Sequence, residues 1–142
     1  MNGFFKVPVA VNEPVLNYAP GSKEKAQRKK ALADARATQA DIPMYIGGKE
    51  VRSGNTKELR PPHDTKHLLG VFPEGHTTQV QQAIDAALAA RTACADMPWE
   101  QRAAIFLKAA DLIAGPYRAK LNAATMLGQS KNAYQAEIDS AC

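Results

Sequence analysis

The chain has 142 residues, a length that suits one domain with a sizeable core. Its net charge of +4 and its 23% of charged residues do not require nucleic acid or an anionic membrane as a partner. The start is too short and polar for a secretory signal, and no apolar run approaches the roughly 20 residues of a membrane span. We therefore predict a cytoplasmic protein with no membrane contact.

The first elements are predicted to be an extended arm and a basic helix. Residues 1–20, which we call the arm, contain three prolines and predict an extended segment. Ser22 has the residue type of an N-cap, so a helix is predicted over residues 23–40. Six basic residues lie between positions 23 and 36 with only a thin apolar stripe. A solvated surface helix is the interpretation we favour, because no aromatic residues for base stacking and no bulky apolar face for lipid accompany them.

Short strands are predicted next. Residues 42–46 and 49–52 form a hairpin around Gly47-Gly48, a dipeptide typical of tight turns. A second pair is predicted from residues 59–62 and 67–72, with the turn at residues 63–66. Pro61 and Pro62 place the incoming strand at a sheet edge or end it early.

Four helices are predicted after residue 77, where the apolar period becomes 3.6. Thr77 or Thr78 caps the first helix, and Pro98 begins the second. Gly115-Pro116 separates the second from the third, with the glycine predicted to adopt a left-handed cap and the proline to open the next helix. The third presents Tyr117, Leu121, Ala124 and Leu127 on one face. Gly128-Gln129-Ser130 interrupts it, and a fourth helix starts near residue 131 and reaches Cys142 without a closing signal. We expect the chain to be the front portion of a longer protein, with an apolar surface left exposed over residues 79–127.

The residues offer few candidates for a site. His63 and His67 are four positions apart, but in a proline-rich turn this spacing does not align metal ligands, and we interpret them and His76 as exposed. Cys94 is interpreted as a packed, inert thiol, and Cys142 as an end residue that cannot be judged; neither has redox or metal-binding neighbours. Gly47-Gly48 does not match a phosphate-binding loop. Glu137 and Asp139 are predicted, from the pattern alone, to lie on a solvated helix surface.

Several stretches together resemble the N-terminal part of the aldehyde dehydrogenase superfamily. The matching stretches are residues 12–15 with Tyr18, 20–22, 42–43, 46–51, 83–87, 98–99, 102–112, 125–131 and 135–139. The block at 102–112 is shared across the superfamily. The blocks at 12–22 and 135–139 resemble the branch that oxidises L-glutamate γ-semialdehyde to L-glutamate in proline degradation.

The resemblance implies an α/β fold, of which this α-rich chain would supply edge β-hairpins and outer helices. Residues 1–41 would be the arm and surface helix, and residues 42–142 the start of the NAD-binding domain. In the superfamily a cysteine thiolate attacks the aldehyde, hydride passes to NAD, and a glutamate-activated water hydrolyses the thioester. These groups and most NAD contacts would lie beyond this chain, which would have no catalytic, cofactor-binding or metal-binding residue and would be inactive alone.

The resemblance also implies one substrate-binding residue and a set of partners. The Glu137 carboxylate would meet the α-ammonium group of L-glutamate γ-semialdehyde. The full-length protein would be a homo-oligomer that uses NAD and binds no nucleic acid. The alternative is a complete, stand-alone helical module that binds a protein or a nucleic acid through the basic helix at residues 23–36.

Overall fold

The structure is a computed structural model that describes residue 4 and residues 6–141, with side chains to residue 139. The elements in chain order are α1 (Lys23–Ala37), β1 (Ala40–Asp41), β2 (Met44–Ile46), β3 (Lys49–Val51), β4 (Thr56–Leu59), β5 (Gly70–Pro73), α2 (Thr77–Asp96), α3 (Trp99–Ala114), α4 (Arg118–Gln129) and α5 (Ala133–Ala141). The predicted α/β, helix-rich class is confirmed. No helix in this part of the chain is both long and apolar enough to cross a lipid bilayer.

The strands form two small sheets. In the first, β5 lies between β1 and β4, parallel to β1 and antiparallel to β4. In the second, β2 and β3 form the predicted hairpin, and Gly47 and Gly48 both have positive φ values, 58° and 76°, as a two-residue hairpin turn requires.

The helices build the small core. Helix α4 packs against α1 on one side and α5 on the other, and α3 contacts both α4 and α5. The buried apolar residues are Tyr18, Leu69, Ala123, Leu127 and Ala136. Helices α2 and α3 have no buried residue, and large side chains such as Leu88 and Phe106 are 61% and 76% exposed. The expected apolar surface is therefore confirmed for α2 and α3.

The ends of α1 and of the strands differ from the prediction. The N-cap at Ser22 is confirmed, because its Oγ accepts a hydrogen bond from the Lys25 amide. The helix ends at Ala37 rather than residue 40, because the chain turns extended at Thr38 and then pairs as β1 with β5. The second hairpin is antiparallel as predicted, but its strands are Thr56–Leu59 and Gly70–Pro73, and the incoming one ends before the prolines.

Three details predicted for the later helices also differ from the structure. His76, not a threonine, is the N-cap of α2, and its amide donates to the Gln79 side chain. Gly115 ends α3 as predicted but has φ −102°, so it is not in the left-handed region; a Cβ there would lie 2.8 Å from the Asp111 carbonyl oxygen. Of the predicted apolar face of α4 only Leu127 is buried. Arg118, Asn122 and Ala123 are buried with it, because this side of α4 contacts α1, α5 and, through Arg118, the arm.

Candidate functional site

Glu137 lies in the first turns of α5 and is fully buried, with 0% of its surface exposed. The prediction of a solvated helix surface is therefore wrong for this residue. Its helix begins with a reciprocal cap, in which the Asn132 side chain accepts from the Gln135 amide and the Asn132 amide donates to the Gln135 side chain. This cap fixes the first turn of α5 and directs the Glu137 side chain towards α4 and the arm.

Both carboxylate oxygens of Glu137 accept hydrogen bonds from other parts of the chain. Oε1 accepts from the Leu16 amide at 2.8 Å and from the Arg118 guanidinium, whose Nε lies 3.1 Å away. Oε2 accepts from the Tyr18 hydroxyl and from Asn122 Nδ2, the latter at 2.7 Å. A buried carboxylate needs such donors, because its charge has lost the stabilisation that water gives.

Arg118 connects this carboxylate to the arm. Its guanidinium forms ion pairs with Glu137 and with Glu13, and it also donates to the Pro14 carbonyl oxygen at 2.5 Å. The Arg118 side chain is only 9% exposed. One cation from α4 therefore joins a carboxylate of α5 to a carboxylate and a backbone carbonyl of the arm.

The cluster shifts the pKa values of its members in opposite directions. Burial raises the pKa of Glu137, but hydrogen bonds, chiefly those from Arg118 and Tyr18, outweigh it and lower the value to about 2. The hydrogen bond to Glu137 is the main cause that raises the pKa of Arg118. Burial, together with the bond to Glu137, raises the pKa of Tyr18 to about 12. Glu137 and Arg118 are thus charged, and Tyr18 protonated, across the physiological range.

Tyr18 holds an unusual backbone conformation within this cluster. Its φ is 52°, in the left-handed region that a bulky residue seldom adopts. Its hydroxyl accepts from Asn122 at 2.7 Å while donating to Glu137, and the Arg28 guanidinium carbon lies 4.1 Å above its ring centroid. These contacts compensate for the unfavourable backbone angle.

The histidines are not brought together as a metal site. Among the described residues no group of three or more His, Cys, Asp or Glu side chains is placed to hold a metal ion. His63 is exposed, as predicted, with its Nδ1 2.7 Å from Ser130 Oγ. His67 is half-buried and its Nε2 is buried, so the prediction that it is exposed is wrong. It lies in the segment that joins β4 to β5, where its amide donates to the Asp64 carbonyl oxygen at 3.0 Å.

The remaining candidates divide between the surface and the end of the chain. Cys94 is exposed on α2, so the prediction of a packed thiol is wrong, because no described element covers that face. Asp139 is exposed, as predicted, and pairs with Lys131. Cys142 lies outside the described residues.

The sequence prediction missed Arg118, Tyr18 and Asn122 as members of a site. One signal was present in the sequence: an arginine and an asparagine four positions apart lie on one face of a predicted helix. Local patterns could not show that this face is buried, because the partners of Glu137 include Leu16, which is 121 positions away.

A match to a protein-family model identifies the family of this chain. Residues 50–141, well over half of the chain, match the model described as the aldehyde dehydrogenase family. The chain belongs to the aldehyde dehydrogenase family. The predicted relationship is thereby confirmed.

Relatives within the family are more specific. A delta-1-pyrroline-5-carboxylate dehydrogenase of Agaricus bisporus is 51% identical over 96% of this chain, and the match covers 25% of that protein. The human mitochondrial enzyme of the same name is 42% identical over 92% of the chain. A crystal structure of the delta-pyrroline-5-carboxylate dehydrogenase of Mycobacterium tuberculosis with bound NAD superposes on all of this chain, with a TM-score of 0.96 and 42% identity. The chain spans about a quarter of the length of these relatives.

Proposed function

We propose that this chain is the N-terminal part of an NAD-dependent 1-pyrroline-5-carboxylate dehydrogenase, which oxidises L-glutamate γ-semialdehyde to L-glutamate in proline degradation. The observation that carries the proposal is the 51% identity to the Agaricus bisporus enzyme across 96% of the chain. The superposition on the Mycobacterium tuberculosis enzyme supports it independently, because nearly every element of this chain has a counterpart there.

The adjacent glycines Gly47 and Gly48 do not form a loop suited to the phosphates of NAD, because they make the turn between two antiparallel strands. A dinucleotide-binding loop instead joins a strand to the N-terminus of a helix, where free amides meet the phosphates. From the family relationship we propose that most of the cofactor contacts, the nucleophilic cysteine and the general-base glutamate lie in the part of the enzyme outside this chain.

The contact of Glu137 with the substrate's α-ammonium group stays a prediction. The carboxylate is ionised, as binding an ammonium group requires, but its oxygens already accept from Arg118, Tyr18, Asn122 and the Leu16 amide. A substrate ammonium would have to compete with these donors for a group that has no exposed surface.

The comparisons favour the dehydrogenase over the alternative of a stand-alone binding module. The basic helix α1 also offers less free charge than its sequence suggests. Lys30 pairs with Asp34, Arg36 pairs with Asp64, and Arg28 stacks on Tyr18. The predicted homo-oligomer and cytoplasmic location stay predictions; several relatives, including the human one, are named as mitochondrial.

A chimera tests the proposal. This chain replaces the matching N-terminal quarter of the Agaricus bisporus enzyme, and NADH formation is followed with 1-pyrroline-5-carboxylate as the substrate source. We expect NADH formation by the chimera and none by the 142-residue chain alone. As a control, a chimera with Lys23 and Lys29 changed to glutamine should be equally active, since both lysines are exposed on α1. A folded chimera that does not oxidise this aldehyde would overturn the proposal.

A further inference from the structure

The described part of the arm is held to the protein at one end only. Residues 6–12 are all exposed, and Val7, Val9 and Val11 are 69%, 84% and 85% exposed. Among the described arm residues only Tyr18 is buried. Apolar burial therefore contributes little to the docking of the first half of the arm.

Four polar contacts of the arm converge on two side chains, and a fifth is the hydrogen bond from Asn122 to the Tyr18 hydroxyl. Arg118 binds the Glu13 carboxylate and the Pro14 carbonyl oxygen, while Glu137 binds the Leu16 amide and the Tyr18 hydroxyl. The two side chains also form an ion pair with each other. Removal of Arg118 would leave the buried Glu137 carboxylate without a counter-charge, which is far less stable inside a protein than in water, whereas removal of Glu137 would leave Arg118 with Glu13 as its remaining ion-pair partner.

The arm also borders an apolar groove on α3. The groove has a volume of about 1120 Å³ and runs between the valines of the arm and α3 residues that include Phe106, Leu107 and Ala110.

We propose that the Arg118–Glu137 ion pair is the latch that docks residues 13–18 of the arm, so that this segment docks and undocks as one unit while α4 and α5 stay folded. The argument uses only the contacts of this chain and does not depend on which aldehyde the enzyme oxidises. Tyr18 adds to the latch. Its left-handed backbone angle is unfavourable by itself and is offset only while its ring and hydroxyl stay bound.

Hydrogen exchange of the full-length protein tests the latch. The Leu16 amide reports on the arm, because it donates to Glu137. The amides of Leu121 in α4 and Ala136 in α5, bonded to Tyr117 and Asn132, serve as internal references. In Arg118→Met, we expect Leu16 to exchange at least about tenfold faster while the references change less than about twofold, as local opening predicts.

Two further variants make the test decisive. Arg36→Met removes the same side chain from the exposed Arg36–Asp64 pair and should leave all three amides unchanged. Tyr18→Phe keeps the ring but removes one donor to Glu137, so exchange at Leu16 should be faster than in the wild type but slower than in Arg118→Met. If Arg118→Met does not fold, Tyr18→Phe alone tests the proposal. Unchanged exchange at Leu16, or equal acceleration at Leu16 and the references, would overturn the proposal, because the cluster would then be dispensable for docking or an inseparable part of the core.

Discussion

Glu137 is kept ionised inside the protein by hydrogen-bond donors from α4 and from the arm. Helix α4 supplies Arg118 and Asn122, and the arm supplies the Tyr18 hydroxyl and the Leu16 amide. Each donor offsets part of the cost of removing the carboxylate from water. Asn122 supplies one of these bonds through its Nδ2, while its buried Oδ1 has no partner in the structure. The balance of charge within the cluster therefore rests on Arg118, a cation that contacts both the arm and α5.

This environment predicts a dependence of stability on pH. The pKa of Glu137 is about 2 in the folded chain and 4.5 in its ordinary state, so the unfolded chain takes up a proton first as the pH falls. The stabilisation is complete above about pH 4.5 and is lost as the pH falls through about 2. Between pH 5 and 2, we expect the free energy of unfolding of the full-length protein to fall by about 3 kcal/mol more in the wild type than in Glu137→Gln.

Denaturant titrations at a series of pH values measure this difference. Asp139→Asn is the matched control, since Asp139 lies on the same helix but is exposed. This variant should follow the wild type. Parallel loss of stability in the wild type and in Glu137→Gln would show that the buried carboxylate is not the group that titrates.

At the scale of the elements, local patterns predicted the helices well and the tertiary pairings poorly. Helices α2 and α3 follow from an apolar period, a proline at the start of α3 and Gly115 after its end. Strand β1 has two residues, Ala40 and Asp41, too few to show any alternation, and its pairing with β5 depends on a residue 30 positions later. The polar buried face of α4 was missed for a similar reason, because Arg118 and Asn122 are buried only once the arm and α5 supply their partners.

The pairing of β1 with β5 requires glycine at position 70. A Cβ on Gly70 would lie 2.4 Å from the Ala40 carbonyl oxygen and 3.0 Å from the Ala40 Cβ, so the strands would have to separate. We expect Gly70→Ala to lower the free energy of unfolding by about 1–3 kcal/mol, the usual cost of overpacking a close contact. Chemical denaturation of the full-length protein measures it.

Gly54→Ala is the control for this prediction. A Cβ at position 54 has no heavy atom within 4 Å, so this change should stay within about 0.5 kcal/mol of the wild type. If the two variants were equally stable, the close approach of β1 and β5 would not be a constraint on the fold.

At the scale of the whole molecule, the exposed apolar surface of α2 and α3 is the dominant feature. Ile105 and Phe106 on α3 are 59% and 76% exposed, and α2 has no buried residue. Soluble monomers seldom expose large apolar patches without a partner surface. The relatives, about four times as long, have the same arrangement of these elements within a larger enzyme, and this supports the proposal that further dehydrogenase structure covers them.

The exposed surface predicts different behaviour for the 142-residue chain and for the chimera. The chain alone should bind the hydrophobic dye ANS and form aggregates of no defined size, whereas the chimera should bind little dye and sediment as one defined species, because we propose that its remaining three quarters cover α2 and α3. Phe106→Gln should weaken dye binding by the chain, while Tyr134→Gln, which changes an exposed aromatic residue on α5, should have little effect. Fluorescence titration and sedimentation velocity measure both. A chain that binds no dye and stays monomeric would show that α2 and α3 need no cover, and the structural support for a larger dehydrogenase would be lost.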